Sequence, residues 1–255
     1  MHTFEVKRIC VKNRILYPIS RLTIRAFAFT MLRFEVKHQG VLPAGPKLFV
    51  ANHPSATDPF LIHLVSREEM NVMITEKAFQ VPFFGWFLRK VREIPVPLSI
   101  TGGTDAIEHA RLRMEKGSSV AIFIEGRISP EDGGFLPPRA GAARLALRAN
   151  VPVIPVGIFL RRDWRLNIRS GISGELSEAF WYFHGPYVIT VGKPIYMLGN
   201  EEERGCVRRN SIRIMRAVES LAEESEMRGR NLMRTSWLVT LIRLFAPLKQ
   251  KGMTF

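Results

Sequence analysis

Short apolar runs alternate with amphipathic stretches through the middle of the chain. The apolar runs predict strands, and between residues 47 and 192 they read KLFVA, NVMIT, REIPVPL, VAIFIEG, VPVIPVGIFL and YVITVG. Apolar residues recur at helical spacing between them, near 59–67, 101–116 and 139–149. Strands that alternate with helices in this way predict an α/β fold, with a mixed, mainly parallel sheet flanked by helices.

One of these runs carries two prolines, at positions 152 and 155. Proline cannot donate a hydrogen bond to a neighbouring strand and is rare in central strands. The run VPVIPVGI, residues 151–158, is therefore predicted to lie at an edge of the sheet or to line an apolar groove.

The N-terminal segment has a different pattern. Residues 14–34 are largely apolar, with Arg14, Arg21 and Arg25 at spacings of seven and four, which predicts a helix with a thin basic stripe, interrupted at Pro18. The pattern fits a core-packing helix with one solvated edge, or an element that lies in a membrane interface. The positive charge of the whole chain favours the interfacial alternative.

The C-terminal part divides into a charged amphipathic helix near 201–225 and a more apolar segment, NLMRTSWLVTLIRLFAPLKQKG. Basic residues flank the apolar centre of that segment: Arg234, Arg243, Lys249 and Lys251. It is too short to span a bilayer, and it fits either a second interfacial patch or a helix docked on the core. We therefore predict three parts. Residues 1–40 form an N-terminal amphipathic helical segment that associates with a membrane, residues 41–199 form the core domain, and residues 200–255 form C-terminal helices that are candidates for membrane association.

The charge of the chain is strongly unbalanced. The 255 residues include 37 Lys and Arg against 23 Asp and Glu, which gives a net charge of +14 and a pI near 10.4. This excess predicts an anionic partner: nucleic acid, an anionic membrane surface or an acidic protein. Nucleic acid is disfavoured because the sequence has no helix-turn-helix, zinc or ribonucleoprotein signature. Arg161, Arg162 and Arg165 are interpreted as a solvated basic face.

The cellular compartment is predicted from the cysteines and from the lack of long apolar segments in the sequence. Cys10 and Cys206 form neither a disulfide framework nor a paired metal-ligand motif, which favours a reducing compartment. The sequence has no apolar window long enough to span a bilayer and no signal-peptide core in MHTFEVKRIC, so we expect a protein that is neither exported nor transmembrane.

Two residues with complementary chemistry follow the first predicted strand. The stretch ANHPSATDPF, residues 51–60, has the turn residues of a strand-to-helix connection and contains His53 and Asp58. Histidine serves as a general base near neutral pH, and a carboxylate bonded to its second ring nitrogen sets the tautomer and stabilises the imidazolium. A histidine and an aspartate five residues apart occur often by chance, so this spacing indicates a catalytic pair only together with other motifs in the sequence.

A second predicted strand ends in a charged turn. Within SVAIFIEGRIS, residues 119–129, the turn supplies Glu125, Gly126, Arg127 and Ser129, at the sheet edge expected for the histidine. Glycine lets a ligand approach the backbone, arginine binds phosphate in bidentate fashion, and a serine hydroxyl adds a donor. The turn is predicted to be an anion site. A metal-dependent hydrolase would need more histidines or carboxylates near these strand ends than the sequence offers.

The motifs NHPSATDPF, FIEGRIS and VPVIPVGI, in this order, resemble those of the glycerolipid and lysophospholipid acyltransferase family. The resemblance covers about residues 40–195 and implies that His53 deprotonates an acceptor hydroxyl while Asp58 orients the imidazole. The hydroxyl would then attack an acyl thioester directly, with no covalent acyl-enzyme and no cofactor. The family's phosphate-binding role carries over onto Glu125, Gly126 and Arg127, although EGRIS differs from the more frequent EGTRS. Two neighbouring polar residues are also assigned to substrate binding: Asn52 and Ser129.

The chain departs from the family pattern at PFFGWFLRKVREIPVPL, residues 82–98. This stretch resembles the family's second motif, whose end normally offers a phosphate-binding arginine, but Pro97 and Leu98 stand there. Arg89 or Arg92 is predicted to compensate, or the acceptor is not a simple phosphomonoester.

The resemblance and the charge together imply the partners. The donor is expected to be acyl-CoA or an acidic acyl-carrier protein, and the acceptor a membrane lipid with a free hydroxyl. We expect 1-acylglycerol-3-phosphate as acceptor, giving phosphatidate, with another lysophospholipid or a lyso-aminolipid as the alternative. The expected location is the cytoplasmic face of a membrane, peripheral or monotopic, on an anionic surface.

Overall fold

The computed structural model describes residues 15–97, 102–170 and 177–245. Several sequence predictions fall on positions outside these ranges: Arg14, Leu98, Lys249 and Lys251. Side chains in the last helix are described as far as residue 233, so the two alternatives for the apolar C-terminal segment both stay open.

Most of the described strands form one twisted layer. In chain order the strands are β1 (Leu32–His38), β2 (Leu48–Ala51), β3 (Met70–Thr75), β4 (Ile94–Val96), β5 (Ser119–Phe123), β6 (Val153–Leu160), β7 (Leu166–Ser170), β8 (Ser177–Trp181) and β9 (Gly185–Val191). Seven of them form a sheet in the order β1-β9-β6-β2-β5-β3-β4, and β7 pairs with β8 separately. Within the sheet only β6 and β9 pair antiparallel. The prediction of a mixed, mainly parallel sheet is confirmed.

Helices cover both faces of this sheet. They are α1 (Leu16–Met31), α2 (Asp58–Leu61), α3 (Glu76–Gln80), α4 (Phe84–Lys90), α5 (Gly102–Glu115), α6 (Gly141–Ala149) and α7 (Arg204–Phe245). The helix predicted near 59–67 is α2 continued by a 3-10 helix, Ile62–Val65. Within the described ranges no helix is both long and apolar enough to cross a bilayer.

Two hydrophobic layers explain why the strand sequences are apolar throughout. Along β2, Leu48 and Val50 pack towards α5, α6 and α7, whereas Phe49 and Ala51 pack towards α1 and α2. Side chains alternate between the two faces of a strand, so a strand that is covered on both faces needs no polar positions.

The proline-containing run lies at the centre of the sheet, so the prediction of an edge strand was wrong. β6 pairs with β2 on one side and with β9 on the other. Pro152 precedes β6, and its carbonyl accepts a hydrogen bond from the Leu48 N–H at 2.9 Å. The Pro155 carbonyl accepts from the Gly192 N–H at 2.8 Å, one residue beyond β9. Pro155 lies one position beyond the antiparallel register, which begins with the pair of Val156 and Val191, so its missing N–H falls where that pairing stops.

The N-terminal segment differs from its prediction in three respects. Pro18 does not interrupt α1, because it lies in the first turn, where backbone N–H groups have no acceptor within the helix. Arg21 does not join a solvated stripe, since its guanidinium donates to the carbonyls of Ser66 and Arg67. Residues 32–38 form β1, which pairs parallel with β9, so this segment contributes to the sheet.

The predicted C-terminal helix continues without a break into the segment after it, and α7 is described as far as Phe245. It crosses β6 at Gly157, where an added Cβ would come within 2.1 Å of the Ala222 nitrogen. The Ser225 hydroxyl donates to the Gly157 carbonyl at 2.9 Å in the same contact. α7 is therefore held directly against the centre of the sheet.

Candidate active site

The residues predicted to carry chemistry converge on one edge of the sheet. β2 lies between β5 and β6 in parallel register, with Ala51 opposite both Phe123 and Val156. The segments that follow these three strands therefore emerge side by side. The antiparallel strand β9 begins at the same edge, because Tyr187 pairs with Leu160 near the end of β6.

His53 and Asp58 form a hydrogen-bonded pair at this edge. The distance between His53 Nδ1 and Asp58 Oδ2 is 2.9 Å. The imidazole stacks on the Phe123 ring, with centroids 4.1 Å apart and planes 18° apart, and 15% of its side chain is exposed. With the proton on Nδ1 donated to Asp58, Nε2 is an acceptor, and none of the described residues bonds to it. The ring is thus oriented on one side and available to a substrate on the other.

The Asp58 carboxylate is fully buried and accepts four hydrogen bonds. Oδ2 accepts from His53 and from the Ser55 N–H at 2.7 Å. Oδ1 accepts from the Ser55 hydroxyl at 2.8 Å and from the Tyr187 hydroxyl at 2.7 Å. Burial raises the pKa of Tyr187 well above its ordinary value, and the charge of Asp58 raises it further, so the phenol stays protonated and donates. These four donors use the whole acceptor capacity of the carboxylate and fix its position.

Glu125 is buried, and protein groups occupy both of its carboxylate oxygens. Oε1 accepts from the His53 N–H at 3.1 Å and from the Ser129 hydroxyl at 2.5 Å, while Oε2 accepts from the Leu136 N–H at 2.9 Å. The Ser129 N–H also donates to the His53 carbonyl at 2.7 Å. Glu125 and Ser129 were predicted to bind substrate, but the contacts they make hold the backbone of His53 on both sides.

Both the backbone conformation at position 126 and the side chain packed against it require a glycine there. Its φ is +68°, a conformation that side chains disfavour, and an added Cβ would come within 2.4 Å of Cδ of Arg139. Arg127 follows it, is exposed, and forms no ion pair with the described residues. The turn therefore carries two guanidinium groups at the sheet edge: Arg127, which was predicted, and Arg139, which was missed.

Asn52 extends the sheet by one residue beyond β2. Its amide nitrogen donates to the Ile158 carbonyl at 2.9 Å, and its amide oxygen accepts from the Ile158 N–H at 2.7 Å. The side chain is buried, so these contacts give Asn52 a positioning role beside His53.

The two arginines proposed to replace the missing second-motif arginine have different surroundings. Arg92 precedes β4, at the amino edge of the parallel strands, where its carbonyl accepts from Asn71 at 3.0 Å. That edge is opposite the one where His53 lies, so the structure does not bring Arg92 to the site. Arg89 donates to the Phe79 carbonyl at 2.8 Å and lies over the ring of the same residue, which holds it against α3.

Arg162 and Arg165 belong to the site, whereas they were interpreted as a solvated face. Arg165 donates to the Pro54 carbonyl at 2.8 Å and stacks on Phe180, with its guanidinium carbon 4.8 Å from the ring centroid. Arg162 donates to the Pro130 carbonyl. Burial lowers the pKa of both guanidinium groups, and the positive charge of Arg162 lowers the pKa of Arg165 further. The two arginines hold the segments that follow β2 and β5, and they add positive charge to the site. Arg161 is half-buried and pairs with its neighbour Asp163.

One signal could have revealed these arginines in the sequence. They follow β6, which is parallel to β2 and ends at the same edge. Residues that follow parallel strands meet at one edge of the sheet, and this rule, which grouped Glu125 with His53, applies equally to Arg162. Tyr187 had no such signal, because a tyrosine in an apolar strand looks like core. In the described part of the chain, no cluster of three or more His, Cys, Asp or Glu side chains is arranged to hold a metal ion.

Comparison with known proteins agrees with this geometry. Residues 33–159 match the family model described as Acyltransferase. The chain is 29% identical over 199 residues to a chloroplastic 1-acyl-sn-glycerol-3-phosphate acyltransferase of Brassica napus, covering 76% of this chain and 54% of that protein. It is 32% identical over 137 residues to a lyso-ornithine lipid O-acyltransferase of Pseudomonas aeruginosa, covering 52% of this chain and 50% of that protein.

A solved structure has the same fold. The 1-acyl-sn-glycerophosphate (LPA) acyltransferase of Thermotoga maritima superposes with a TM-score of 0.58 at 23% identity, covering 81% of this chain and 79% of that one. The chain spans about half the length of the curated relatives it matches. With these matches, the chain belongs to the glycerolipid and lysophospholipid acyltransferase family.

Proposed function

We propose that this protein transfers a fatty acyl group from a thioester, acyl-CoA or acyl-carrier protein, to the free hydroxyl of a lysolipid. The expected acceptor is 1-acylglycerol-3-phosphate and the product phosphatidate. The observation that carries the proposal is the His53–Asp58 pair, 2.9 Å apart, with the second ring nitrogen left for substrate. The names of its relatives, which are O-acyltransferases acting on lysolipids, support the same reaction.

The proposed mechanism needs only these side chains. Nε2 of His53 removes the acceptor's hydroxyl proton as the oxygen attacks the thioester carbonyl, and Asp58 stabilises the imidazolium that forms. The tetrahedral intermediate then collapses, the carbon–sulfur bond breaks, and the imidazolium proton goes to the departing thiolate. A thioester is already activated, so alignment and electrostatic stabilisation supply most of what remains. The acyl donor is a co-substrate, and the reaction as proposed uses no cofactor.

The acceptor's phosphate is proposed to bind at the turn that follows β5. Arg127 is exposed there and Arg139 lies against Gly126, so two guanidinium groups flank a backbone that a ligand can approach closely. Guanidinium groups bind phosphate oxygens in bidentate fashion, which suits a phosphomonoester.

A lyso-aminolipid is the second candidate acceptor. The family's second-motif arginine is missing, Arg92 lies at the far edge of the sheet, and Arg89 is held against α3. The similarity to a lyso-ornithine lipid O-acyltransferase fits an acceptor without a phosphomonoester. This alternative changes the acceptor and leaves the chemistry at His53 unchanged.

We further propose that the protein works on an anionic membrane surface at the cytoplasmic face, as a peripheral or monotopic protein. Two helices, α1 and α4, together with the residue that precedes each, expose large apolar side chains: Ile15, Ile19, Leu22, Phe29, Met31, Phe83 and Trp86. Exposed apolar groups of this kind are typical of interfacial helices. A net charge of +14 adds attraction to anionic lipid, at about 1 kcal/mol for each basic residue near the surface.

The test is an acyl-transfer assay with a panel of lysolipids. Labelled acyl-CoA and acyl-carrier protein are each supplied with lysophosphatidate, other lysophospholipids and lyso-aminolipids, for the wild type and His53→Ala. We expect acylation of lysophosphatidate that is lost in the variant while vesicle binding is kept. Acylation of a different lysolipid would select the second acceptor, and full activity of His53→Ala would remove the general-base role.

A further inference from the structure

A concave site lies away from the edge of the sheet that carries His53, which is called the catalytic edge below. It lies between α6, α7 and the loop that follows the β5 turn. It is a cavity of about 420 Å³, within the size range of small-molecule sites. Three arginines line it, Arg144 from α6 with Arg204 and Arg208 from the start of α7. Its other walls are apolar, formed by side chains that include Pro137, Val207 and Ile212.

The positive charge of this arginine cavity is uncompensated. None of the residues that line it is acidic, and within the described ranges its arginines form no ion pair or side-chain hydrogen bond. Neighbouring arginines on the same two helices are paired, since Arg148 contacts Glu201 at 2.8 Å and Arg209 contacts Glu203 at 3.1 Å. Three like charges around one hollow repel one another, so an anionic ligand would relieve that repulsion.

The cavity is joined to the catalytic edge through one carboxylate. Glu125 accepts from the His53 N–H on one side and from the Leu136 N–H on the other. The next residue, Pro137, forms part of the cavity wall. A ligand that fills the cavity and carries an extended arm could therefore reach His53 around a single loop.

We propose that the arginine cavity binds the phosphate-bearing nucleotide end of the acyl donor, coenzyme A, with its thioester arm directed to His53. This inference rests on the proposed acyl-transfer function. Guanidinium groups suit the nucleotide's phosphates, and the apolar walls with planar guanidinium faces suit its base. A hollow of this size fits a small ligand, whereas the acidic helix of a carrier protein would meet a flatter basic surface.

The first experiment measures binding without catalysis. Coenzyme A, dephospho-coenzyme A and pantetheine are titrated calorimetrically into the full-length wild type, R144Q/R208Q and the control R216Q. Arg216 is an exposed arginine two turns further along α7 and does not line the cavity. We expect the wild type to bind coenzyme A most tightly and pantetheine most weakly. The double variant should bind coenzyme A at least tenfold more weakly and pantetheine as before, and R216Q should match the wild type.

The second experiment measures donor kinetics. In R144Q/R208Q the KM for acyl-CoA should rise, whereas kcat/KM for an acyl-pantetheine thioester and the KM for the acceptor should not change. Unchanged coenzyme A binding in the double variant would overturn the proposal, as would a defect confined to acyl-carrier protein or to the acceptor. Equal competition by inorganic phosphate would also overturn it, because the cavity would then be a general anion site. Because the titration needs no turnover, it decides the cavity's role even if the acyl-transfer assay fails.

Discussion

The Tyr187 hydroxyl donates a hydrogen bond to Oδ1 of Asp58 at 2.7 Å, across 129 positions of sequence. The phenol is fully buried on β9, the strand that begins at the catalytic edge. Through this contact the sheet itself orients the carboxylate that orients His53. The relationship makes Tyr187 a positioning residue, which acts on catalysis through Asp58.

Tyr187→Phe should lower kcat and stability together and leave KM nearly unchanged. The change removes one bond to a buried carboxylate, and hydrogen bonds to charged groups contribute about 1.5–3 kcal/mol. Tyr182→Phe is the matched control, because that buried phenol donates to the Pro186 carbonyl at 3.0 Å and does not contact Asp58. Steady-state kinetics and urea unfolding of both variants test this. Equal effects on kcat in the two variants would reduce Tyr187 to a general core residue.

Alkaline conditions should destabilise the wild type more than Tyr187→Phe. The pKa of Tyr187 is raised above its ordinary value of 10.0 in the folded protein, so the unfolded chain releases this proton first. Ionisation of Tyr187 therefore leaves the free energy of unfolding unchanged below pH 10. Above that pH the unfolded chain loses the proton first, so the free energy of unfolding falls as the pH rises. Urea unfolding on either side of that pH should give a shallower decline in the variant. Parallel declines would show that Tyr187 does not contribute.

Glu125→Gln should reduce kcat with little change in the acceptor's KM. The amide has one acceptor where the carboxylate has two, so its NH₂ group would face the N–H of His53 or Leu136. A buried donor left unpaired costs about 1–3 kcal/mol, and the displaced backbone would move the imidazole. Ser129→Ala, which removes only one donor to Glu125, should have a smaller effect. A rise in acceptor KM at constant kcat would instead support the direct substrate contact predicted from the sequence.

Arg127→Ala should raise the KM for the acceptor more than the KM for the donor. Losing one charge-assisted contact of about 1.5–3 kcal/mol corresponds to a rise of roughly tenfold to a hundredfold. Arg169→Ala is the control, because that exposed arginine on β7 pairs with Glu178 on β8. An effect confined to the donor would contradict the assignment of the β5 turn to the acceptor.

Replacing two exposed residues of α1 by glutamate should weaken vesicle binding. Leu22 and Phe29 are 68% and 87% exposed, and each would contribute about 1.5–3 kcal/mol if buried in lipid. The control is Val41→Glu, which introduces the same charge at a loop residue that is 92% exposed. Sedimentation with anionic vesicles should show a loss for Leu22→Glu/Phe29→Glu and retention for Val41→Glu. Unchanged sedimentation of the double variant would leave α1 as a helix that packs only on the core.

The sequence alone determined six of the nine described strands, β2 to β6 and β9, the mainly parallel sheet, and the meeting of His53, Asp58 and Glu125 at one edge. These follow from local signals, because apolar periodicity marks each element and parallel strands present their carboxyl ends together. The sequence also indicated the family, since several short motifs in one order are far more specific than any one of them.

Only the tertiary structure decided which residues stand next to one another across the sheet. It located β6 at the centre despite its prolines, separated Arg92 from the catalytic edge, and joined Tyr187 to Asp58. It also showed that Glu125 accepts a hydrogen bond from the His53 backbone, a contact that the sequence did not predict. Periodicity records which face of an element is buried. Strand order and cross-sheet hydrogen bonds depend on pairings between distant segments, and no local pattern encodes those.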